Sequence, residues 1–142
     1  MKAALLVESL TGNTWDAADL IADKLQQERW SITGMSKVGQ PDLQSIHLAD
    51  IVLVGTWTHG LFVVGQMPAA AGNIANLPTM RGKKAACFLT FALNAGKSID
   101  KLTDAVRKTG ADVAGGLEIK RNHLDAHTDL FVERLLDVVQ PA

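Results

Sequence analysis

A single cysteine, Cys87, stands among the 142 residues, so no internal disulfide can form and a disulfide-stapled secreted scaffold is excluded. Tyrosine is absent altogether. Neither sign of charge dominates, with 14 Lys and Arg against 15 Asp and Glu. No strong field is therefore available to gather nucleic-acid phosphates or an anionic membrane surface, which argues against both partners. The N-terminal stretch Met1 to Ser9 is too short for a signal-peptide core or a membrane span, and the expected location is the cytoplasm. Internal repeats, low-complexity tracts and Pro/Ser-rich linkers are lacking too. One domain over residues 1–142 is the expectation.

What is present is an ordinary globular composition, 47% apolar and 20% charged. A chain of this length buries roughly 68% of its extended surface, enough for a packed core. Apolar runs of strand length alternate with segments of helical period, the pattern of a parallel sheet built from βαβ crossovers. The strand runs are Ala3–Val7, a weaker Ser31–Met35, Ile51–Gly55, Ala85–Phe91 and Val113–Ile119. The first, third and fourth are almost continuously apolar, as strands covered on both faces must be.

The first helix starts near Thr14 and carries Ala18, Ile21, Ala22 and Leu25 on one stripe. Pro41–His47 and the Ala-rich Pro68–Asn76 read as short, weaker helices. A fourth helix presents Ile99, Leu102 and Val106 and stops at Gly110, and the last, Asp125–Val139, is expected to bury Phe131, Leu135, Val138 and Val139. Five strands with the first in the middle predict a doubly wound parallel sheet of order 2-1-3-4-5.

In such a sheet the ligand site lies at the loops after strands one, three and four, where the strand order reverses. After the first strand comes Ser9-Leu10-Thr11-Gly12-Asn13-Thr14, running straight into a helix. Gly12 lets the backbone turn its N–H groups toward one point, while Ser9, Thr11 and Thr14 offer hydroxyls and the helix dipole adds positive charge. The loop has no Lys, unlike a Walker A loop, and lacks the three glycines of the dinucleotide fingerprint. These features describe a cradle for one phosphate. Glu8 stands alone and the third strand run ends in Gly55, so the acidic set of a phospho-accepting receiver is missing.

The stretch resembles the [ST]-x-T-G-N-T phosphate loop of flavodoxins, and strand spacing, length and the next two loops are similar over nearly the whole chain. The resemblance implies a three-layer flavodoxin-like α/β fold, FMN as cofactor, and electron transfer with redox partner proteins. The loop after the third strand, Gly55-Thr56-Trp57-Thr58-His59-Gly60-Leu61, contains a Trp suited to stacking on a flat ligand. In flavodoxins a residue there, often Trp, flanks the flavin ring and a nearby glycine peptide hydrogen-bonds flavin N5, which points to Trp57 and Gly60. The loop after the fourth strand, Thr90-Phe91-Ala92-Leu93-Asn94-Ala95-Gly96-Lys97, corresponds to the one that supplies a second aromatic face and backbone N–H groups to the pyrimidine edge. Its usual Tyr is absent. Phe91 is therefore either a ring contact or the core-facing end of the strand, with Ala92 to Gly96 as backbone contacts.

The chain departs from the strongly acidic flavodoxins in being nearly neutral, and has His59 where many carry an acid. Its apolar run Leu61-Phe62-Val63-Val64 suits a partner, a hydrophobic substrate or a dimer contact, and the oligomeric state stays open. Two other functions remain: a small FMN-dependent NAD(P)H:quinone-type oxidoreductase, and a binding module of this fold without flavin. Cys87, inside a strand run, reads as a small core hydrophobe. His123 and His127, four apart and flanking Asp125, read as a polar helix entry, since no third ligand of clear spacing accompanies them.

Overall fold

The computed structural model describes residues 1–9, 12–59, 67–68, 73–74, 76–92 and 95–139. Strand β1, Lys2–Val7, is apolar from Ala3 onward and fully buried over that stretch. It can be so because it is central. β2 (Ser31–Lys37) pairs with it in parallel on one side and β3 (Ile51–His59) on the other. After the two-residue β4, Met67–Pro68, come β5 (Lys84–Phe91) and β6 (Asp112–Lys120), both parallel to the rest. The order across the sheet is β2-β1-β3-β5-β6, with β4 antiparallel to the far end of β3. Leaving β4 aside, this is the expected order 2-1-3-4-5.

Helices cover both faces, and alternation along each strand sorts the core into two layers. On one face Leu5, Leu53 and Phe88 pack against α1, Asn13–Gln27, and against the C-terminal helix. On the other, Val52, Val54, Cys87 and Leu89 meet α2 (Leu43–Leu48) and α3 (Ser98–Arg107). The C-terminal helix, α4, runs Leu124–Val139 after a 3₁₀ turn at Arg121–His123. The stripe Ala18, Ile21, Ala22 and Leu25 is buried on α1 as its period predicts. Asp42 caps α2 by accepting from Gln44 and Ser45 N–H, which lets so short a helix start cleanly. Gly110, with φ of 92°, follows α3 and turns the chain toward β6.

Several expectations are corrected. β3 does not end at Gly55 but continues to His59, because Thr56–Thr58 keep pairing with β5 and then with β4. Pro68 does not open a helix; it pairs with Thr58 as strand, and of the helix expected there only Asn73 and Ile74 are described as helical. Val138 is 56% exposed rather than buried. It faces the stretch Ala114–Gly116 of β6, whose small residues and bulge leave nothing tall enough to cover it.

α1 and α4 are tied at the surface by Lys24, whose Nζ lies 2.9 Å from Asp125 Oδ1 and 2.6 Å from Asp129 Oδ1. The Asp129 hydrogen bond raises the Lys24 ammonium above its ordinary pKa, outweighing partial burial, and Asp125 adds to it. Both carboxylates are largely exposed, so Lys24→Met is expected to cost about 0.5–1 kcal/mol, less at high salt. A raised lysine stabilises fully at neutral pH and loses that contribution as pH climbs through its folded-state pKa. Urea unfolding of wild type and variant should therefore converge on the alkaline side. A gap that is unchanged there would show that the ion pair contributes nothing.

Candidate functional site

The carboxyl ends of β1, β3 and β5 meet at one end of the sheet. Glu8 N–H donates to Gly55 O at 2.9 Å, joining the exit of β1 to β3. From there Ser9 Oγ accepts the Gly12 N–H at 3.0 Å, folding the loop back on itself, and Gly12 O accepts the Asp16 N–H at 2.8 Å to begin α1. Gly12 is the N-cap of α1, in left-handed conformation at φ 96° and ψ −13°. A glycine is needed there, since any β-carbon strains that region. The cap residue, a glycine, brings no side chain of its own to cap the helix. A Cβ built on Gly12 meets nothing within 4 Å, so open space lies beside the helix start.

First-turn amides at the positive end of a helix dipole suit an anion. Hydroxyls stand behind it. Thr14, 1% exposed in the first turn of α1, has its Oγ1 2.9 Å from Thr90 Oγ1 at the end of β5. Thr58 Oγ1 in turn donates to Thr90 O at 3.3 Å. A dense set of neutral donors with no lysine suits a single phosphate monoester.

Of the expected contacts, Ser9, Gly12, Asn13 and Thr14 gather at this helix start, whereas Leu10 and Thr11 lie outside the described residues, as do Gly60, Leu93 and Asn94. Thr56, Trp57 and Thr58 lie on strand β3 rather than in a loop; Thr56 and Thr58 are buried and Trp57 is half-buried opposite Thr90. His59 ends β3, and its side chain lies outside the described residues. Phe91 ends β5 half-buried and packs against the core layer under α3, while Ala92 beside it is also half-buried. Gly96 turns the chain at φ 57°, just before α3. Thr90 opens the loop that the sequence places after the fourth strand, but sequence reasoning gives it no role in the site. The signal was a threonine one residue from the end of a strand run that is otherwise almost wholly apolar.

Comparison with solved structures decides the fold. Flavodoxin 1 from Bacillus cereus matches over 100% of this chain and 99% of its own, with a TM-score of 0.73 at 20% identity. The chain has the flavodoxin fold. The Streptococcus pneumonia TIGR4 flavodoxin superposes over 98% of this flavodoxin-fold chain and 100% of its own, at a TM-score of 0.69 and 24% identity. Rubredoxin oxygen:oxidoreductase from Desulfovibrio gigas matches over 98% of this chain with 37% of its own, at a TM-score of 0.68 and 20% identity. No family model and no curated protein matches the sequence.

Other chemistry-bearing groups lie elsewhere. Cys87 is buried, and burial pushes its thiol up to about 12. It is expected to stay unmodified by a thiol-specific disulfide reagent at pH 8 and to react once urea unfolds the protein. Rapid modification of the folded protein would contradict this. His127 Nδ1 accepts the Lys120 N–H at 3.0 Å, closing the end of β6, and no group of metal-ligating residues forms among the described residues. A cavity of about 200 Å³ opens between α4 and the Ala114–Gly116 stretch of β6, far along the strand from the phosphate loop. Among the described residues no helix is long and apolar enough to cross a membrane.

Proposed function

We propose that residues 1–142 form one flavodoxin-like domain that binds FMN and carries electrons to redox partner proteins in the cytoplasm. The observation that carries this reading is the left-handed glycine N-cap of α1, backed by the Thr14 and Thr90 hydroxyls at the point where the strand order reverses. Ser9 to Thr14 would hold the phosphate. Trp57, with Thr56, Thr58, His59 and Gly60, would border the flavin ring, and Phe91 to Gly96 would meet its polar edge. FMN, when bound, supplies reversible one- and two-electron chemistry. The protein's part is to bind it by one phosphate and to shield it. The match to 37% of rubredoxin oxygen:oxidoreductase supports reading the chain as an electron-carrying unit, since the same fold serves there inside a larger oxidoreductase.

Titrating the flavin-free protein with FMN and FAD tests the reading. FMN is expected to bind tightly and FAD poorly, because the donor set is sized for one phosphate. A protein that binds neither would overturn it. A carrier is reduced through a partner reductase, so direct turnover of a quinone with NAD(P)H would instead make it an enzyme.

A further inference from the structure

Thr90 lies outside the phosphate loop, and its one signal in the sequence is a threonine near the end of an otherwise apolar strand run. In β5, Ala86 and Phe88 belong to the core layer under α1, and strand alternation puts Thr90 on that same face. There its hydroxyl, on a residue 0% exposed, meets Thr14 Oγ1 at 2.9 Å, across a sequence separation of 76 residues. Its carbonyl accepts from Thr58 Oγ1 at 3.3 Å. One residue thus joins the helix start of the phosphate loop to two of the strands whose ends form the rest of the site.

We propose that Thr90 is a positioning residue of the phosphate site, donating its hydroxyl hydrogen to Thr14 so that the Thr14 hydrogen is left for the anion. The inference rests on the FMN reading above. Each hydroxyl has one hydrogen and two lone pairs, and at 2.9 Å either oxygen can be the donor. A phosphate monoester above its second pKa, about 6, presents acceptors only. If Thr14 gave its hydrogen to Thr90, it would turn lone pairs toward a negative charge. The bound anion therefore selects the chain Thr90 to Thr14 to phosphate. Serine at position 90 can keep that chain, whereas valine, of nearly the same shape, cannot.

The test compares FMN with riboflavin, which lacks the phosphate, on the flavin-free protein. Thr90→Val is expected to weaken FMN roughly five- to twentyfold and riboflavin less than about twofold. Thr90→Ser should stay within about twofold of wild type for both. Because Thr90 acts through Thr14, adding Thr90→Val to Thr14→Ala should weaken FMN no further. Thr90→Ala loses the same hydrogen and provides the same comparison should the valine variant fail to fold. Parallel losses for FMN and riboflavin, or full additivity with Thr14→Ala, would overturn the inference while leaving the FMN reading intact. A wild type that binds riboflavin as well as FMN, or binds neither, would remove both.

Discussion

Gly55→Ala is expected to lower the unfolding free energy by about 3 kcal/mol and the melting temperature by roughly 10 °C, without contact with any ligand. A Cβ at Gly55 would sit 2.1 Å from Phe88 Cε2 and Cζ, far inside van der Waals contact. The two residues are register partners on neighbouring strands, and the Phe88 ring lies across the space where the Gly55 side chain would be. That ring has no easy way out. Phe88 is 0% exposed and stands edge-on to Phe131 of α4, with centroids 5.7 Å apart at 67°. An added methyl must therefore push β3 from β5 or drive the ring off its rotamer, and either loosens the layer that carries α1 and the phosphate loop. Urea unfolding of the flavin-free protein measures the cost. Phe88→Leu removes the far end of the ring, so combining it with Gly55→Ala should cost less than the sum of the two single losses. A loss under about 1 kcal/mol for Gly55→Ala alone would mean that the ring yields freely.

The same glycine explains the main misreading of the sequence. Gly55 looks like the end of a strand and the start of a loop, since glycine is the usual punctuation between elements. Here it is a gap left for a neighbour's ring in the middle of β3, a close approach that only the paired strand reveals. The central strands and the helix stripes were legible because their burial depends on period alone. The Ala3–Val7 run can only be a strand covered on both faces, and Ala18, Ile21, Ala22 and Leu25 can share a face only on a helix. Val138 shows the limit of that logic. Its spacing predicts burial, but whether a helix residue is covered depends on what stands opposite, and opposite it β6 has Ala114, Gly115 and Gly116. Pro68 failed in the same way, since a proline that suits a first helical turn also suits the end of a short antiparallel pair. The phosphate loop was legible as residue types around a glycine. Its backing by Thr90 was not, because a hydrogen bond across 76 residues leaves no local pattern.

Gly12→Ala is expected to weaken FMN binding by one to two decades while leaving riboflavin nearly unchanged. Gly12 sits at φ 96°, where an L-residue costs about 1–2 kcal/mol, so alanine favours a shift of the loop out of that conformation. Beyond its two chain neighbours the new methyl meets no atom within 4 Å, so the cost to folding is backbone strain. The cost to binding is larger in kind. The left-handed turn at the N-cap sets the direction of the first-turn amides of α1, and a reorganised loop misaims at least one of them. A hydrogen bond to a charged group contributes about 1.5–3 kcal/mol, which is roughly one to two decades in affinity. Riboflavin has no phosphate for those amides to hold, and it should register only whatever distortion reaches the ring. Two measurements separate the effects: urea unfolding of the flavin-free variant gives the strain, and paired titrations with FMN and riboflavin give the phosphate contribution. Should riboflavin weaken as much as FMN, the glycine would matter only for the shape of the loop, and the phosphate would have to be placed away from the start of α1.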